Sequence, residues 1–131
     1  MLAAAACIFK RNMRKGCEMR YKFGAEIIRP VIVCLCGSTR FSDAFREANQ
    51  QETLAGNIVL SIGCEWHSDQ SIGLTEKDKK MLDELHLRKI DLADEVLFLN
   101  VGGYMGESTK REHMYATNHG KIIRYLEEPA S

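Results

Sequence analysis

The sequence predicts one α/β domain with a doubly wound, mainly parallel sheet of about four to five strands. Short apolar runs alternate with helical segments in the order βαβαβαβ over about a hundred residues, which is the order that right-handed crossovers produce. The apolar runs contain no alternating polar residues, as is typical of strands buried on both faces. Glycine-rich turns follow the first and third runs, so ligand-binding loops are expected at the carboxyl edge of the sheet.

The composition excludes several classes of protein. The chain has 131 residues, enough for one globular domain with one core. Its 18 basic and 18 acidic residues cancel, so it lacks the positive charge of proteins that bind nucleic acid polymers. No apolar run approaches the roughly 20 residues of a membrane span. Five cysteines at irregular spacings favour free thiols in a reducing cytosol. We therefore expect a soluble, cytoplasmic protein whose ligand is a small molecule.

Residues 1–29 read as an extension to this domain. Residues 1–8 are small and apolar and residues 10–22 are basic, which reverses the order found in a secretory signal. We expect the extension to be poorly ordered or partly outside the core, and a start codon chosen too far upstream would give the same pattern. The globular domain is expected over residues 30–131.

The first strand is predicted over residues 31–36, an apolar run rich in β-branched side chains. Four polar or flexible residues follow it: Gly37, Ser38, Thr39 and Arg40. A helix is expected from Ser42, its candidate N-cap, to Leu54. The backbone amides, hydroxyls and guanidinium of the turn suit a bound anion. An ordinary strand-to-helix turn explains the same residues, so both interpretations stay open.

The second strand is predicted over residues 58–62, and a long loop over residues 63–71 follows it. In this loop, Cys64 and His67 have the spacing of a pair of zinc ligands, but no second pair of ligands follows. We therefore expect no metal and no cofactor. Trp66 is either a platform on which a base stacks or a lid over the core.

The second helix is predicted from Thr75 to Leu92, with Thr75 and Asp78 in the pattern of a helix start. Three of its apolar residues are expected to face inward: Met81, Leu82 and Leu85. His86 lies on or beside this apolar face, so it is either a core residue with satisfied hydrogen bonds or a catalytic group. Asp83, one turn earlier, is placed to fix the tautomer of the His86 ring.

The third strand, predicted over residues 96–101, leads into a turn with three glycines: Gly102, Gly103 and Gly106. Such a turn lets a ligand approach the backbone. If the next helix begins near Ser108 or Thr109, Glu112 and Ala116 share its inward face, and the Glu112 carboxylate points at the sheet edge. Alternatively, Thr109 and Glu112 form a capping box, in which the glutamate only accepts a hydrogen bond from a backbone amide.

The third helix is expected to end near His119, with Gly120 in the position of a helix C-cap. A fourth strand is predicted over residues 122–126. The sequence from residue 30 to residue 126 contains no internal repeat or linker, which supports a single domain.

Four motifs together resemble the nucleoside 2-deoxyribosyltransferase-like superfamily, in particular its small, phage- or prophage-type members and its nucleotide N-glycosidase relatives. These motifs are LCGSTRF over residues 35–41, LH at residues 85–86 with KIDLADE over residues 89–95, GGYMGESTKRE over residues 102–112, and Ala116-x-x-x-Gly120-Lys121. Their order and spacing carry the resemblance, because a glutamate four residues before an alanine and eight before Gly-Lys is the family's catalytic helix pattern. The resemblance covers the chain from about residue 31 to residue 128.

The resemblance implies a flavodoxin-like fold and cleavage of the N-glycosidic bond of a (deoxy)nucleoside or nucleoside 5′-monophosphate, with transfer to another base or hydrolysis. Glu112 matches the family's nucleophile, which forms a glutamyl-sugar intermediate. The general acid is placed differently: where characterised members have an aspartate, this chain has His86, with Asp83 one turn earlier. Family members commonly build the pocket with a neighbouring subunit, so the resemblance also implies a homodimer.

The residues expected to bind substrate come from three loops and the third helix: Gly37, Ser38, Thr39, Arg40, Trp66, Gly103, Gly106, Ser108 and Thr109. Lys110 and Arg111 near the helix start are expected to keep Glu112 ionised. Two other functions stay open. A nucleotide-binding or sensing module would keep the pocket without turnover. A phosphoacceptor receiver domain has a similar sheet, but it needs acidic residues where this chain has Cys36, Gly37 and Ser38.

Overall fold

The computed structural model describes residues 29–63 and 73–129. Its elements follow the order β1 (Ile32–Cys36), α1 (Ser42–Leu54), β2 (Ile58–Leu60), α2 (Glu76–Leu92), β3 (Glu95–Phe98), a 3₁₀ helix (Val101–Gly103), α3 (Glu107–Asn118) and β4 (Ile122–Tyr125). The extension predicted for residues 1–29 lies outside the described residues except for its last residue, and so does the loop residue Trp66. Among the described residues, no helix combines the length and apolar character needed to cross a membrane.

The four described strands form one parallel sheet in the order β2-β1-β3-β4. β1 is an inner strand, and its residue Cys34 pairs with Leu60 of β2 on one side and with Val96 of β3 on the other. On the outer side of β3, Leu97 pairs with Arg124 of β4. The doubly wound, flavodoxin-like α/β fold predicted from the sequence is therefore confirmed, with four strands in the described part of the chain.

The two faces of the sheet bury different side chains because successive residues of a strand point to opposite sides. One face packs against α1 through a cluster of seven buried residues: Val31, Val33, Leu35, Phe45, Ala48, Leu97 and Leu99. The other packs against α2 and α3 through a second cluster: Cys34, Cys36, Ile90, Ala93, Val96, Phe98 and Ala116. Both thiols of β1 therefore lie on the face that α2 and α3 cover.

The observed helix starts agree only in part with those predicted from the sequence. The capping box predicted for α2 is present, since the Thr75 hydroxyl accepts a hydrogen bond from the Asp78 amide and the Asp78 carboxylate accepts one from the Thr75 amide. The prediction that Ser42 caps α1 was wrong. Ser42 is the first helical residue, and the cap position belongs to Phe41, whose side chain cannot accept a hydrogen bond.

The inward face of α2 is rotated from the predicted one. Met81 and Leu85 are 53% and 45% exposed, so the prediction that they face the core was wrong. His86 and Ile90 are buried instead, at the spacing of four that places them on one stripe. Sequence alone could not choose between these stripes because apolar residues occur on both. The histidine thereby lies between the helix and the sheet.

On the α1 face, the guanidinium of Arg124 bridges two buried glutamates. Its Nη2 atom lies 2.8 Å from Glu52 Oε1, and its Nε atom lies 3.2 Å from Glu95 Oε2. The Glu52 carboxylate also accepts a hydrogen bond of 2.7 Å from Asn57. This ion-pair group ties α1 to β3 and β4, and it lies on the face opposite the thiols.

Candidate functional site

A cavity of about 410 Å³ opens at the carboxyl edge of the sheet. Parallel strands and the amino ends of the following helices meet at this edge, which is where α/β folds bind ligands. The cavity is bounded by the turn after β1, the end of β2, one side of α2 and the start of α3. Its lining residues are Gly37, Ser38, Thr39, Ile62, Gly63, Leu82, Asp83, Leu85, His86, Lys89, Gly106, Glu107, Ser108, Thr109 and Glu112.

The turn after β1 lines the cavity with Gly37, Ser38 and Thr39. A Cβ atom at Gly37 would lie 3.1 Å from Leu99 Cβ and 3.2 Å from Leu99 O, so a larger residue here would require the neighbouring segment to shift by a few tenths of an ångström. Arg40, predicted to bind the anion, does not line the cavity. Its guanidinium lies 4.5 Å from the ring centroid of Tyr104 on the outside of the turn.

The glycine turn after β3 contributes to the cavity only through its last glycine. Gly102 and Gly103 have φ values of 62° and 80°, a conformation that glycine adopts without strain. Gly103 is exposed and does not line the cavity, contrary to its predicted substrate-binding role. Gly106 lines the cavity and takes the cap position of α3, where no side chain satisfies the first amides.

Glu112 lies in the second turn of α3, too far from the start of the helix to cap it. The helix begins at Glu107 with Gly106 as its cap, so the alternative of a capping box between Thr109 and Glu112 is wrong. Ala116, four residues later, is fully buried against the sheet. The Glu112 Oε2 atom is buried and has no hydrogen-bond partner of good geometry among the described residues, although the Cys36 thiol interacts with the carboxyl closely enough to lower its pKa. A carboxylate oxygen in this state lacks the partner that buried polar atoms almost always have.

Burial, rather than the neighbouring cations, controls the charge of Glu112. Desolvation raises the pKa of its carboxyl from 4.5 to about 7, although the charge of His86 acts in the opposite direction. The expectation that Lys110 and Arg111 keep Glu112 ionised was therefore wrong. Both cations are exposed, and they pair with other acids: Lys110 lies 3.5 Å from Glu107 and Arg111 lies 4.0 Å from Asp83.

His86 makes its contacts with the two thiols of β1. Its Nε2 atom lies 3.2 Å from Cys36 Sγ and 3.8 Å from Cys34 Sγ. A hydrogen bond from Cys36, and then the interaction with His86, lower the pKa of the Cys34 thiol to about 6 despite its burial. Burial raises the pKa of the Cys36 thiol. Burial lowers the pKa of His86, but Cys34 and Glu112 outweigh this effect, so the net direction is upward.

Asp83 is placed differently from its predicted role. Its carboxylate lines the cavity but lies 4.0 Å from Arg111 rather than on the imidazole, and the described residues include no hydrogen bond between Asp83 and His86. The expectation that Asp83 fixes the tautomer of the ring was wrong, because the sheet-facing side of α2 turns the imidazole toward the thiols. Asp83 still lines the cavity.

Sequence reasoning missed three residues of this site. Cys34 and Cys36 were predicted only as buried free thiols. Residues two positions apart lie on the same face of a strand, so the sequence could have predicted that the two thiols are neighbours. Lys89 lines the cavity one turn after His86 and donates a hydrogen bond of 2.6 Å to the Ser61 carbonyl. The spacing of three between His86 and Lys89 was a usable signal, since such residues are neighbours on a helix.

Comparison of the chain with protein-family models, with curated proteins and with solved structures finds no match. The fold class therefore rests on the observed strand order, and the chemistry has to be argued from the cavity. The resemblance of the four motifs to the nucleoside 2-deoxyribosyltransferase-like superfamily stays a prediction.

Proposed function

We propose that this protein cleaves the N-glycosidic bond of a (deoxy)nucleoside or nucleoside 5′-monophosphate through a glutamyl-sugar intermediate. The observation that carries the proposal is the Glu112 carboxyl, which lines the cavity and has a buried oxygen without a hydrogen-bond partner among the described residues. Departure of a base leaves a sugar with oxocarbenium character, and a nearby carboxylate stabilises that charge and can trap it. The motif resemblance assigns Glu112 the same role.

In the first step, a Glu112 oxygen forms a bond to C1′ while the bond between C1′ and the base nitrogen breaks. The electron pair of the broken bond stays on the base, which takes up a proton. His86 lines the same cavity from α2, and its interactions with Cys34 and Glu112 raise the pKa of its imidazole, so it is our candidate for the donor. Asp83 is the second candidate, since its carboxyl also lines the cavity.

In the second step, water or another base attacks C1′, and the bond from C1′ to the Glu112 oxygen breaks with its electron pair returning to the carboxylate. The proton lost by the attacking group restores the acid, so the enzyme returns to its starting state. Water gives hydrolysis and a second base gives transfer. Both outcomes use the same two groups, Glu112 and the acid.

The shape and polarity of the cavity suit a nucleoside or its monophosphate. Its volume of about 410 Å³ lies in the range of small-molecule sites. Ser38 and Thr39 line one end, and Ser108 lines the start of α3, where free backbone amides favour an anion. We also propose that the protein is a homodimer, as the motif resemblance implies.

A nucleotide-binding module without turnover is the alternative, and one observation favours it. A pKa of about 7 leaves much of Glu112 protonated at neutral pH, and the protonated form donates a hydrogen bond instead of attacking carbon. In that case nucleotides would bind, and no free base would be released. Chromatography of nucleosides and 5′-monophosphates after incubation with the protein separates the two functions.

The decisive experiment uses a 2′-fluorinated deoxynucleotide, which slows the second step. The protein should gain the mass of the sugar portion without the base, and peptide mass spectrometry should place the label on Glu112. Glu112→Gln keeps the size of the side chain but removes the nucleophile, so it should bind substrate and lose several orders of magnitude in rate. Glu107→Gln is the matched control, because Glu107 lines the same cavity from the same helix.

A label on any residue other than Glu112, or normal turnover in Glu112→Gln, would overturn the mechanism. Binding of nucleotides without label and without base release would leave the binding module as the function.

A further inference from the structure

We propose that Cys34, Cys36 and His86 form a site for a zinc ion beside the cavity, which only His86 of the three residues lines. All three residues are buried, and their possible ligand atoms lie within 4.8 Å of one another. The site combines two alternate positions of β1 with one position of α2, so the sheet and the helix together fix its shape. It does not depend on the proposed cleavage of nucleosides.

The distances between the ligand atoms fit a tetrahedral ion. Zinc lies about 2.3 Å from thiolate sulfur and about 2.0–2.1 Å from imidazole nitrogen, so sulfur and nitrogen are about 3.5 Å apart across a tetrahedral angle. In this protein, His86 Nε2 lies 3.2 Å from one sulfur and 3.8 Å from the other. The two sulfurs also lie within 4.8 Å of each other, so small side-chain rotations would bring the three atoms onto one ion.

Charge balance explains why a buried site of this kind tolerates a divalent cation. Two thiolates neutralise Zn²⁺, so the complete group carries no net charge, although its two sulfur ligands are fully buried. Binding releases two protons, whether they come from two thiols or from one thiol and the imidazolium. Thiolates are soft ligands that favour zinc over Mg²⁺ or Ca²⁺, which prefer oxygen.

The site supplies three protein ligands and leaves the fourth position to water or to a ligand in the cavity. Glu112 does not belong to the group of atoms within 4.8 Å, but its carboxyl interacts electrostatically with both Cys36 and His86. Of the three proposed ligands only His86 lines the cavity, together with Glu112, so we place the open position on the cavity side of the site. Zinc sites with three protein ligands are the type that bind exchangeable molecules, whereas structural sites have four.

The test uses the full-length protein, reduced and stripped of metal with a chelator, and cobalt(II) as the probe. We expect one equivalent of Co²⁺ to produce a thiolate-to-cobalt charge-transfer band and the intense visible bands of a tetrahedral complex, and Zn²⁺ to displace it. Cys36→Ser and His86→Ala should each weaken binding by more than about 100-fold, because loss of even an outer partner of a zinc site costs about 10–100-fold.

The matched control is the double variant Cys64→Ser/His67→Ala, which removes the other cysteine–histidine pair of the chain. It should bind Co²⁺ with unchanged affinity and an unchanged spectrum. Spectra that vanish in this control but persist in Cys36→Ser would overturn the proposal, as would the absence of any charge-transfer band in the wild-type protein.

A second measurement needs no variant and so does not depend on how the variants fold. X-ray absorption at the zinc edge of the loaded wild-type protein should show two sulfur neighbours at about 2.3 Å and nitrogen or oxygen neighbours at about 2.0–2.1 Å. A shell with fewer than two sulfur atoms would contradict the assignment of Cys34 and Cys36 as ligands.

Discussion

The Sγ atom of Cys36, the last residue of β1, lies 3.2 Å from the Nε2 atom of His86 in the middle of α2. This contact places an imidazole beside a thiol where the sheet edge meets the cavity. In the proposed reaction, delivery of a proton from Nε2 to the leaving base would therefore depend on both residues. The contact gives the His86 imidazole a defined partner, the Cys36 thiol.

The first prediction concerns the general acid. His86→Ala should slow base release by about 10²–10⁴-fold and change nucleotide affinity much less, because proton transfer matters only in the transition state. It should also shift the acid limb of the pH–rate profile. Asp83→Ala is measured beside it, since Asp83 is the second candidate for the acid and lines the same cavity from the same helix. If the loss appears only in Asp83→Ala, the acid is Asp83, and if neither variant loses rate, α2 has no catalytic role.

The second prediction concerns the pH dependence of stability. Burial raises the pKa of Glu112 from 4.5 to about 7, so the folded state holds a proton that the unfolded chain has already lost. The resulting stabilisation is complete below about pH 4.5 and is lost as the pH rises through about 7. The free energy of unfolding should therefore fall with pH in the wild type, relative to Glu112→Gln, by an amount on the order of 3 kcal/mol. Urea unfolding of both proteins, with chelator present, measures this difference. Parallel curves between about pH 5 and pH 8 would show that Glu112 is not desolvated as described.

The third prediction concerns the charge of the substrate. A 5′-monophosphate should bind about tenfold more tightly than its nucleoside, because Ser38 and the start of α3 offer hydrogen bonds that an uncharged sugar leaves unused. Calorimetry with both ligands gives the ratio. Ser108→Ala should reduce it, and Glu107→Gln should increase it by removing a carboxylate from the same end of the cavity. Equal affinities for the two ligands in the wild type would favour a nucleoside as substrate.

The fourth prediction joins the zinc site to the proposed reaction. With zinc bound, His86 Nε2 carries the metal in place of a proton, so it cannot protonate a leaving base. One equivalent of Zn²⁺ should therefore lower base release by about 100-fold or more, and a chelator should restore it. Mg²⁺ is the control, since thiolates bind it poorly. Unchanged base release in protein shown by cobalt displacement to hold zinc would exclude His86 as the acid.

Much of the fold could be predicted because each element carries a local pattern. The bounds of α1 agree with those expected from Ser42 and Leu54, and the start of α2 follows from its Thr75–Asp78 capping box. The orientation of α2 could be predicted only in part, since Met81 and Leu85 are apolar but exposed, whereas the polar His86 is buried. That orientation depends on the shape of the sheet, which is a property of distant parts of the chain.

The candidate site, like the fold, could be predicted from the sequence only in part. The position of Glu112 on the inward stripe of α3 follows from its spacing to Ala116, but its charge state does not. The desolvation of the carboxyl depends on which parts of the chain cover it. The two cations that are close to Glu112 in sequence face solvent. The approach of His86 to Cys34 and Cys36 joins residues about fifty positions apart, which the topology brings together and no local pattern reports.

At the opposite edge of the sheet, the Asp94 carboxylate holds the start of β1. It accepts two hydrogen bonds of 2.7 Å from the Arg29 guanidinium and one of 2.9 Å from the Ile32 amide. Because β1 has five residues, this attachment lies about 15 Å from the cavity. A shortened chain beginning at Arg29 keeps the attachment, whereas one beginning at Val31 loses the guanidinium. An affinity tag or a fluorophore joined ahead of Arg29 would therefore lie at the end of the sheet remote from the cavity.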